Sequence, residues 1–278
     1  MRKYLLIILV LCLTITPLIS GCQTEITSNV RVVTSTTLIS QITERVGGDL
    51  VEVINIIPPA QCPGHFDVKP GDIQKLADAD LFLLHGWQGE VFSEELIASA
   101  DNPDLTVINL NIMGNWIVPS IQLLATDEIT TTLCQIDAEN SVAYQERATE
   151  YKNAVMAKGI ELADKLAQED LANINVMCSD QLSGFIQWAG LNIIATYGSP
   201  ETLTPQVVQA LVDKGKQENV VLIIDNLQSG QDAGAGLAEE LGCSRIVVTN
   251  IPGGFDNTET WEKAVSENVR RILEAVDN

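Results

Sequence analysis

The segment that decides the fold lies in the middle of the chain, where residues 139–169 read ENSVAYQERATEYKNAVMAKGIELADKLAQE. It contains no proline, a single glycine (Gly159), and a dense mixture of Ala, Glu, Lys and Leu. Most of these residues are good helix formers. We predict one helix of roughly 45 Å, at ~1.5 Å per residue, which is long enough to run beside or between two lobes.

On both sides of this segment, short apolar runs alternate with amphipathic stretches. The predicted strands cover residues 31–35, 51–57, 81–84, 106–109, 173–177, 192–195, 220–224 and 245–248. The predicted helices cover residues 39–46, 71–79, 90–99, 119–135, 184–188, 205–218, 233–241 and 258–276. This alternation is typical of βαβ units around a mostly parallel sheet. We therefore predict an α/β fold: two lobes of mostly parallel sheet with flanking helices, joined by one long interlobe helix, with a ligand cleft between the lobes.

The alternation and the character of the N-terminal residues together predict four segments. We predict a lipoprotein signal peptide over residues 1–21 and the N-terminal α/β lobe over residues 22–138. Residues 139–170 are the long linking helix, and residues 171–278 are the C-terminal α/β lobe.

The signal peptide is predicted from two positively charged residues near the N-terminus and the apolar run that follows them. Arg2 and Lys3 precede residues 5–18, which carry no charge, and Ile19-Ser20-Gly21-Cys22 follows. The alternative is an uncleaved membrane anchor, but the run is shorter than the ~20 residues that a spanning helix needs. Small residues before a cysteine resemble the lipobox of bacterial and archaeal lipoproteins. That resemblance implies cleavage before Cys22 and a lipid on its sulfur, so the protein is exported and lipid-anchored to the cell membrane at the periplasmic or extracytoplasmic face.

The charge of the chain excludes two classes of partner. The formal net charge is −21, from 37 acidic and 16 basic side chains. Nucleic acid phosphates and anionic lipid headgroups repel such a surface. No nucleic acid partner is expected.

Four cysteines of the mature chain have no assigned role: Cys62, Cys134, Cys178 and Cys243. In an oxidising compartment four such cysteines usually form two disulfides. Metal-bound thiolates are the alternative for Cys62 and Cys178, and we treat Cys134 and Cys243 as structural.

Candidate ligand-binding residues follow the predicted strands. In open α/β sheets, ligands bind beyond the carboxyl ends of the strands. The chain's two histidines, His65 and His85, lie in such loops, as do Cys62, Cys178 and Asp225. Imidazole, thiolate and carboxylate groups together suit a tetrahedral site for zinc or a softer ion. Each residue could instead have a structural role. His85 could be a hydrogen-bonded residue at a strand end, Cys62 and Cys178 could form a disulfide, and Asp225 could cap a turn.

Enzymatic motifs are absent from the sequence. There is no Gly-x-Ser-x-Gly elbow, no phosphate-binding loop with its lysine, and no dinucleotide fingerprint. We predict that the protein is not an enzyme.

The N-terminal half resembles a known family. The resemblance is carried by residues 33–37 (VTSTT), 46–49 (VGGD), 51–53 (VEV), 57–59 (IPP), 65–67 (HFD), 70–72 (PGD) and 76–81 (LADADL). Residues 136–140 before the long helix, and Asn268 near the end, extend it over the mature chain. These motifs are similar to those of the zinc- and manganese-binding class of ABC solute receptors. The resemblance implies a monomer that captures a metal ion, zinc before manganese, and delivers it to an ABC permease with a separate ATPase.

The departures from that family concern the metal ligands. Its first histidine stands in a loop of the form Pro-His-x-Tyr-Glu-x-x-Pro-Ser-Asp, and His65 falls in that loop. The second histidine position, two residues before Trp116, is Gly114. At the third position the chain offers only Cys178 or Asp180. The acidic positions correspond to Asp225 and Asn250.

Three interpretations follow, in our order of preference. First, the site is rebuilt from Cys62, His65 and Cys178 with His85 or Asp225, which favours zinc or copper(I). Second, the fold binds a metal complex or a small organic solute, and aromatic and amide side chains suit such a pocket. The residues expected there are Trp87, Gln88, Trp188, Asn226 and Gln228, with Asp180 and Asn250 as further cleft candidates. Third, the protein is a degenerate relative that acts in cell adhesion.

Overall fold

The computed structural model describes residues 29–87 and 90–277. The predicted lipoprotein signal peptide and the predicted lipidation site, Cys22, lie outside the described residues, and so does Gln88. Within the described residues, no helix has the length and apolar character required to cross a bilayer.

The first lobe is built on a four-stranded parallel sheet with the strand order β2-β1-β3-β4. Its elements are β1 (Val30–Thr34), α1 (Thr37–Gly47), β2 (Val51–Asn55), α2 (Pro70–Ala77), β3 (Leu81–Leu84), α3 (Phe92–Ala100), β4 (Thr106–Asn109) and α4 (Pro119–Ile136). All four residues of β3 are buried, because helices cover both faces of the sheet at this central strand.

The second lobe repeats this topology with the order β6-β5-β7-β8, again parallel. Its elements are β5 (Asn175–Ser179), α6 (Ser183–Trp188), β6 (Asn192–Tyr197), α7 (Pro205–Gln217), β7 (Leu222–Asn226), α8 (Leu227–Gly230), α9 (Ala235–Leu241), β8 (Ser244–Val248) and α10 (Trp261–Val276). The predicted fold class is confirmed, with boundaries that differ from the predicted ones by a few residues.

The long helix α5 (Ser141–Leu166) connects the lobes and has 26 residues. It is shorter than the predicted stretch because residues 138–140 form a separate turn of 3-10 helix. Its buried side is one stripe: Tyr144, Ala148, Tyr151, Val155, Gly159, Leu162 and Leu166. The spacing of three and four residues is that of a single helix face. The lone glycine, Gly159, lies against Pro119, whose Cβ would be 3.0 Å from an added methyl group.

Helix α10 ties the second lobe to the loop before α4. The indole of Trp261 is fully buried, and its Nε1–H donates to the carbonyl oxygens of Trp116 (3.2 Å) and Ile117 (3.1 Å). On the same helix, Asn268 accepts from the N–H of Thr249 (2.9 Å) and donates to its carbonyl (2.7 Å). Through these contacts α10 holds in place the loop before α4 and the loop after β8.

Candidate functional site

The two sheets place their strand ends at one cleft. In each sheet the strand order reverses between two central strands, β1 and β3 in the first and β5 and β7 in the second. Loops that leave such strands flank a crevice at the carboxyl edge of the sheet, which is the usual ligand position in open α/β folds. Interlobe hydrogen bonds join the loops across it, such as Thr37 Oγ1 to the carbonyl of Pro252 at 2.6 Å.

A pocket of about 200 Å³ lies in this cleft. It is lined by Leu38, Trp87, Met113, Gly114, Asn115, Trp116, Gln181 and Asn250. The lining contains two indoles, three amides and apolar groups, without a carboxylate, thiol or imidazole. Of the predicted cleft candidates, Trp87 and Asn250 belong to it.

A network of neutral amides crosses the pocket between the lobes. Asn115 Nδ2 donates to Asn250 Oδ1 (2.8 Å) and to the carbonyl of Gln181 (3.0 Å). Asn250 Nδ2 donates to the same carbonyl (2.9 Å), and the N–H of Asn250 donates to Gln228 Oε1 (3.0 Å). Gln228 also donates to the carbonyl of Pro59 (2.9 Å) in the first lobe. Gln228 is therefore part of the interlobe contact.

The indoles of Trp87 and Trp116, which form one wall of the pocket, both pack against His85. The ring of Trp87 stacks on the imidazole with a centroid distance of 3.6 Å, and Trp116 meets the imidazole edge-on at 4.5 Å. His85 Nε2 lies 2.7 Å from Thr36 Oγ1, and Nδ1 has no hydrogen-bond partner among the described residues. Complete burial lowers the pKa of His85 well below its usual range, so the ring is neutral. His85 supports the wall and is not among the residues that line the pocket.

Glu90, in the loop after β3, orders the backbone that carries Trp87. Its carboxylate accepts from the hydroxyl of Ser35 (2.5 Å) and from the N–H groups of His85 (3.2 Å), Gly86 (2.8 Å) and Trp87 (3.3 Å). Burial nevertheless raises the pKa of Glu90, and these hydrogen bonds act in the opposite direction. The carboxylate thus replaces the backbone partners that this loop lacks.

The other candidates are spread over the molecule. His65 is exposed and Cys62 half-buried, on a turn of 3-10 helix formed by residues 63–65. Cys178 is fully buried in β5, and Asp180 is exposed. Among residues 29–87 and 90–277, no three His, Cys, Asp or Glu side chains are grouped so that they could hold a metal ion.

The thiol of Cys178 is poorly suited to metal binding. Burial, and to a smaller extent the charge of Asp180, raises its pKa to about 12. The expected disulfides are not formed either: Cys62, Cys134, Cys178 and Cys243 are all free. Cys178 is enclosed among core side chains, so it has no accessible thiol with which to pair.

Asp225 is occupied by structural partners. Its carboxylate accepts from the Tyr197 hydroxyl, from the N–H of Gly234 and from Arg245 Nη1, each at 2.7 Å. The side chain is fully buried in this arrangement. Asp225 anchors the second lobe and has no oxygen directed to the cleft pocket.

Two of the histidine positions implied by the family resemblance carry glycine. In the pattern given above, the histidine stands six residues before the second proline, and six residues before Pro70 is Gly64. His65 therefore stands one residue past that position. Gly114 has a φ of +113°, and a Cβ there would lie 2.9 Å from Ile121 Cδ1. A histidine at Gly114 would need a different backbone and a shifted Ile121.

Four lining residues, Met113, Asn115, Trp116 and Gln181, are not among the candidates predicted from the sequence. Residues 110–118 follow the edge strand β4, and the candidates predicted from the sequence follow other strands. That loop supplies Met113, Asn115 and Trp116. Gln181 follows β5, close to the candidates Cys178 and Asp180, but an amide side chain carries no metal-binding signal.

Two α/β lobes, one connecting helix and a small pocket between the strand ends define the class of two-lobed solute receptors. A family model described as zinc-uptake complex component A, periplasmic (ZnuA), matches residues 32–275. The chain belongs to this family.

Named relatives are similar in sequence over about two thirds of the chain, and a solved structure shares the fold. The metal ABC transporter substrate-binding lipoprotein SsaB of Streptococcus sanguinis is 22% identical over 69% of this chain and 71% of that protein. The manganese ABC transporter substrate-binding lipoprotein ScaA of Streptococcus gordonii is 24% identical over 69% and 70%. The substrate-binding protein FpvC of Pseudomonas aeruginosa, solved with Ni²⁺, superposes with a TM-score of 0.75 and 20% identity over 90% of this chain and 97% of that one.

The environment of Cys178 gives a first prediction. At pH 8, a pKa of about 12 leaves roughly one thiol in ten thousand as the reactive thiolate. We expect iodoacetamide to spare Cys178 in the folded protein and to modify it in urea. Half-buried Cys62 is the internal control and should react in the folded state. Peptide mass spectrometry measures both sites, and rapid modification of Cys178 without urea would contradict the buried environment.

Proposed function

We propose that this chain is the extracytoplasmic substrate-binding component of an ABC importer and that its cargo is a transition metal. The observation that carries the proposal is the pocket between the lobes, at the strand ends where receptors of this architecture hold their ligands. Membership of the ZnuA family and the names of the metal-binding relatives support the cargo class. An ABC permease with its ATPase would receive the cargo.

The identity of the metal stays a prediction. Zinc was our first expectation, with manganese or copper as alternatives, and the family description names zinc. Relatives are named for manganese and iron, and FpvC was solved with nickel. A lipid on Cys22 would hold the receptor at the membrane beside its permease.

The pocket lining supports binding without catalysis. Its polar side chains are the amides of Asn115, Gln181 and Asn250 and the indoles of Trp87 and Trp116. Amides and indoles do not act as general bases or nucleophiles at neutral pH. We therefore assign the protein a receptor role and no reaction of its own.

Asn115→Ala is expected to weaken cargo binding at least tenfold, which corresponds to about 1.4 kcal/mol. The substitution removes the two hydrogen bonds through which Asn115 of the first lobe holds Asn250 and Gln181 of the second lobe. Isothermal titration calorimetry of the mature protein would measure the effect, with zinc, manganese and nickel supplied both as bare ions and as histidine complexes. Asn153→Ala, at an exposed position of α5, is the matched control and should bind like the wild type.

Two results would contradict the proposal. One is that the wild type binds none of the three metals in either form. The other is that it binds metal and Asn115→Ala leaves the affinity unchanged, because the cargo would then lie elsewhere.

A further inference from the structure

The donor set of the pocket does not match the needs of a bare metal ion. A zinc ion takes four ligands, usually with at least one thiolate, imidazole or carboxylate among them. The pocket offers neutral amides, indoles, a thioether and a leucine side chain. Transfer of an ion from water into such a lining without ligating side chains is strongly unfavourable.

The volume of the pocket is also larger than an ion requires. About 200 Å³ corresponds to roughly seven water molecules at ~30 Å³ each in the liquid. An ion that keeps small organic ligands fits this space better than a naked ion does. Met113 at the rim is 83% exposed, so part of a larger ligand can extend into solvent.

The unused polar groups of the pocket are mainly hydrogen-bond donors. Both N–H groups of the Asn115 amide are engaged within the network, but Asn250 Nδ2 makes only one of its two possible hydrogen bonds. The side-chain amide of Gln181 makes none with the described residues, although Gln181 lines the pocket. Such groups suit the oxygen atoms of a chelator, and the indole of Trp87 suits its flat, apolar faces.

We infer that the pocket binds a metal that is already chelated, as a neutral complex with amino-acid-type ligands. The chelator completes the coordination sphere of the ion. The protein recognises the chelator through Gln181 and Asn250, which Asn115 holds in place, and through the two indoles. The strongly acidic chain, with a net charge of −21, disfavours anionic complexes. This inference rests on the proposed function and specifies the form in which the cargo arrives.

The test compares four probes on the mature protein by native mass spectrometry and calorimetry: zinc ion, the neutral zinc–bis(L-histidine) complex, zinc citrate and L-histidine alone. We expect the histidine complex to bind 1:1 with the mass of metal plus chelator, at least 100-fold more tightly than each of the other three. Trp87→Ala should weaken that binding at least tenfold. Trp188→Ala, which removes a half-buried indole that does not line the pocket, should leave it unchanged.

The contrary outcomes separate the two proposals. If bare zinc binds as tightly as the complex and adds only its own mass, the inference fails and the metal-receptor function stands. If histidine alone binds as tightly, the inference fails because the cargo is the organic molecule. If no zinc species binds, both the inference and a zinc receptor role fail.

Discussion

Asp225→Asn is expected to lower the free energy of unfolding by about 3 kcal/mol. The native carboxylate has no exposed surface and is bound by Tyr197, Gly234 and Arg245. In the variant, one oxygen becomes an NH₂ group, which either faces Arg245 or displaces a buried donor. Breaking a buried pair is costly because the remaining charge loses its partner. Urea denaturation measures the change, with the slope checked for two-state behaviour.

Asp232→Asn is the matched control for this prediction. Asp232 lies 3.1 Å from the same guanidinium, but its side chain is 70% exposed. Exposed ion pairs contribute about 0–1 kcal/mol, so this variant should remain close to the wild type. Equal destabilisation by the two substitutions would refute the structural role of Asp225. A loss of cargo binding by folded Asp225→Asn would favour the metal-ligand role instead.

Trp261→Ala is expected to cost about 3–5 kcal/mol, the usual range for removing a buried tryptophan. The indole fills the space behind the cleft and donates to the carbonyls of Trp116 and Ile117. Its loss leaves a cavity and two carbonyl groups without their shared donor. Because those carbonyls belong to the loop that carries Asn115, we also expect weaker cargo binding in the protein that remains folded.

Trp261→Phe separates packing from hydrogen bonding. It keeps an aromatic ring and removes the N–H, so we expect a loss of about 1–2 kcal/mol. Trp188→Ala is the control for tryptophan removal as such, since Trp188 is half-buried and stacked on Phe185 at 5.7 Å. Thermal and urea unfolding rank the three variants. An order in which Trp188→Ala is the most destabilised would contradict the role of Trp261.

The fold could be predicted because its signals are local. A proline-free segment with helix-forming residues predicts a helix whatever surrounds it, and α5 occupies residues 141–166 of that segment. Short apolar runs bounded by polar loops likewise indicate buried parallel strands, as in β3. Each of these signals is contained within about thirty residues or fewer.

The site could be predicted only in part because its chemistry depends on distant partners. Asp225 follows a predicted strand, where a ligand residue is expected, but Arg245 on the neighbouring strand donates a hydrogen bond to its carboxylate. His85 follows a strand as expected, yet Trp87, two residues later, stacks on its ring. The amides of Asn115 and Gln181 carry no metal-binding signal in sequence and become a site only when the lobes meet. Trp87 and amide side chains line the pocket, and the metal ligands stay a prediction.

The most direct test of the account is zinc K-edge X-ray absorption on the mature protein loaded with the zinc–histidine complex. We expect the nitrogen and oxygen shell of the free complex, unchanged on binding, because the protein contacts the chelator and not the metal. A sulfur shell at about 2.3 Å would contradict it, since Cys62 or Cys178 would then coordinate the ion directly.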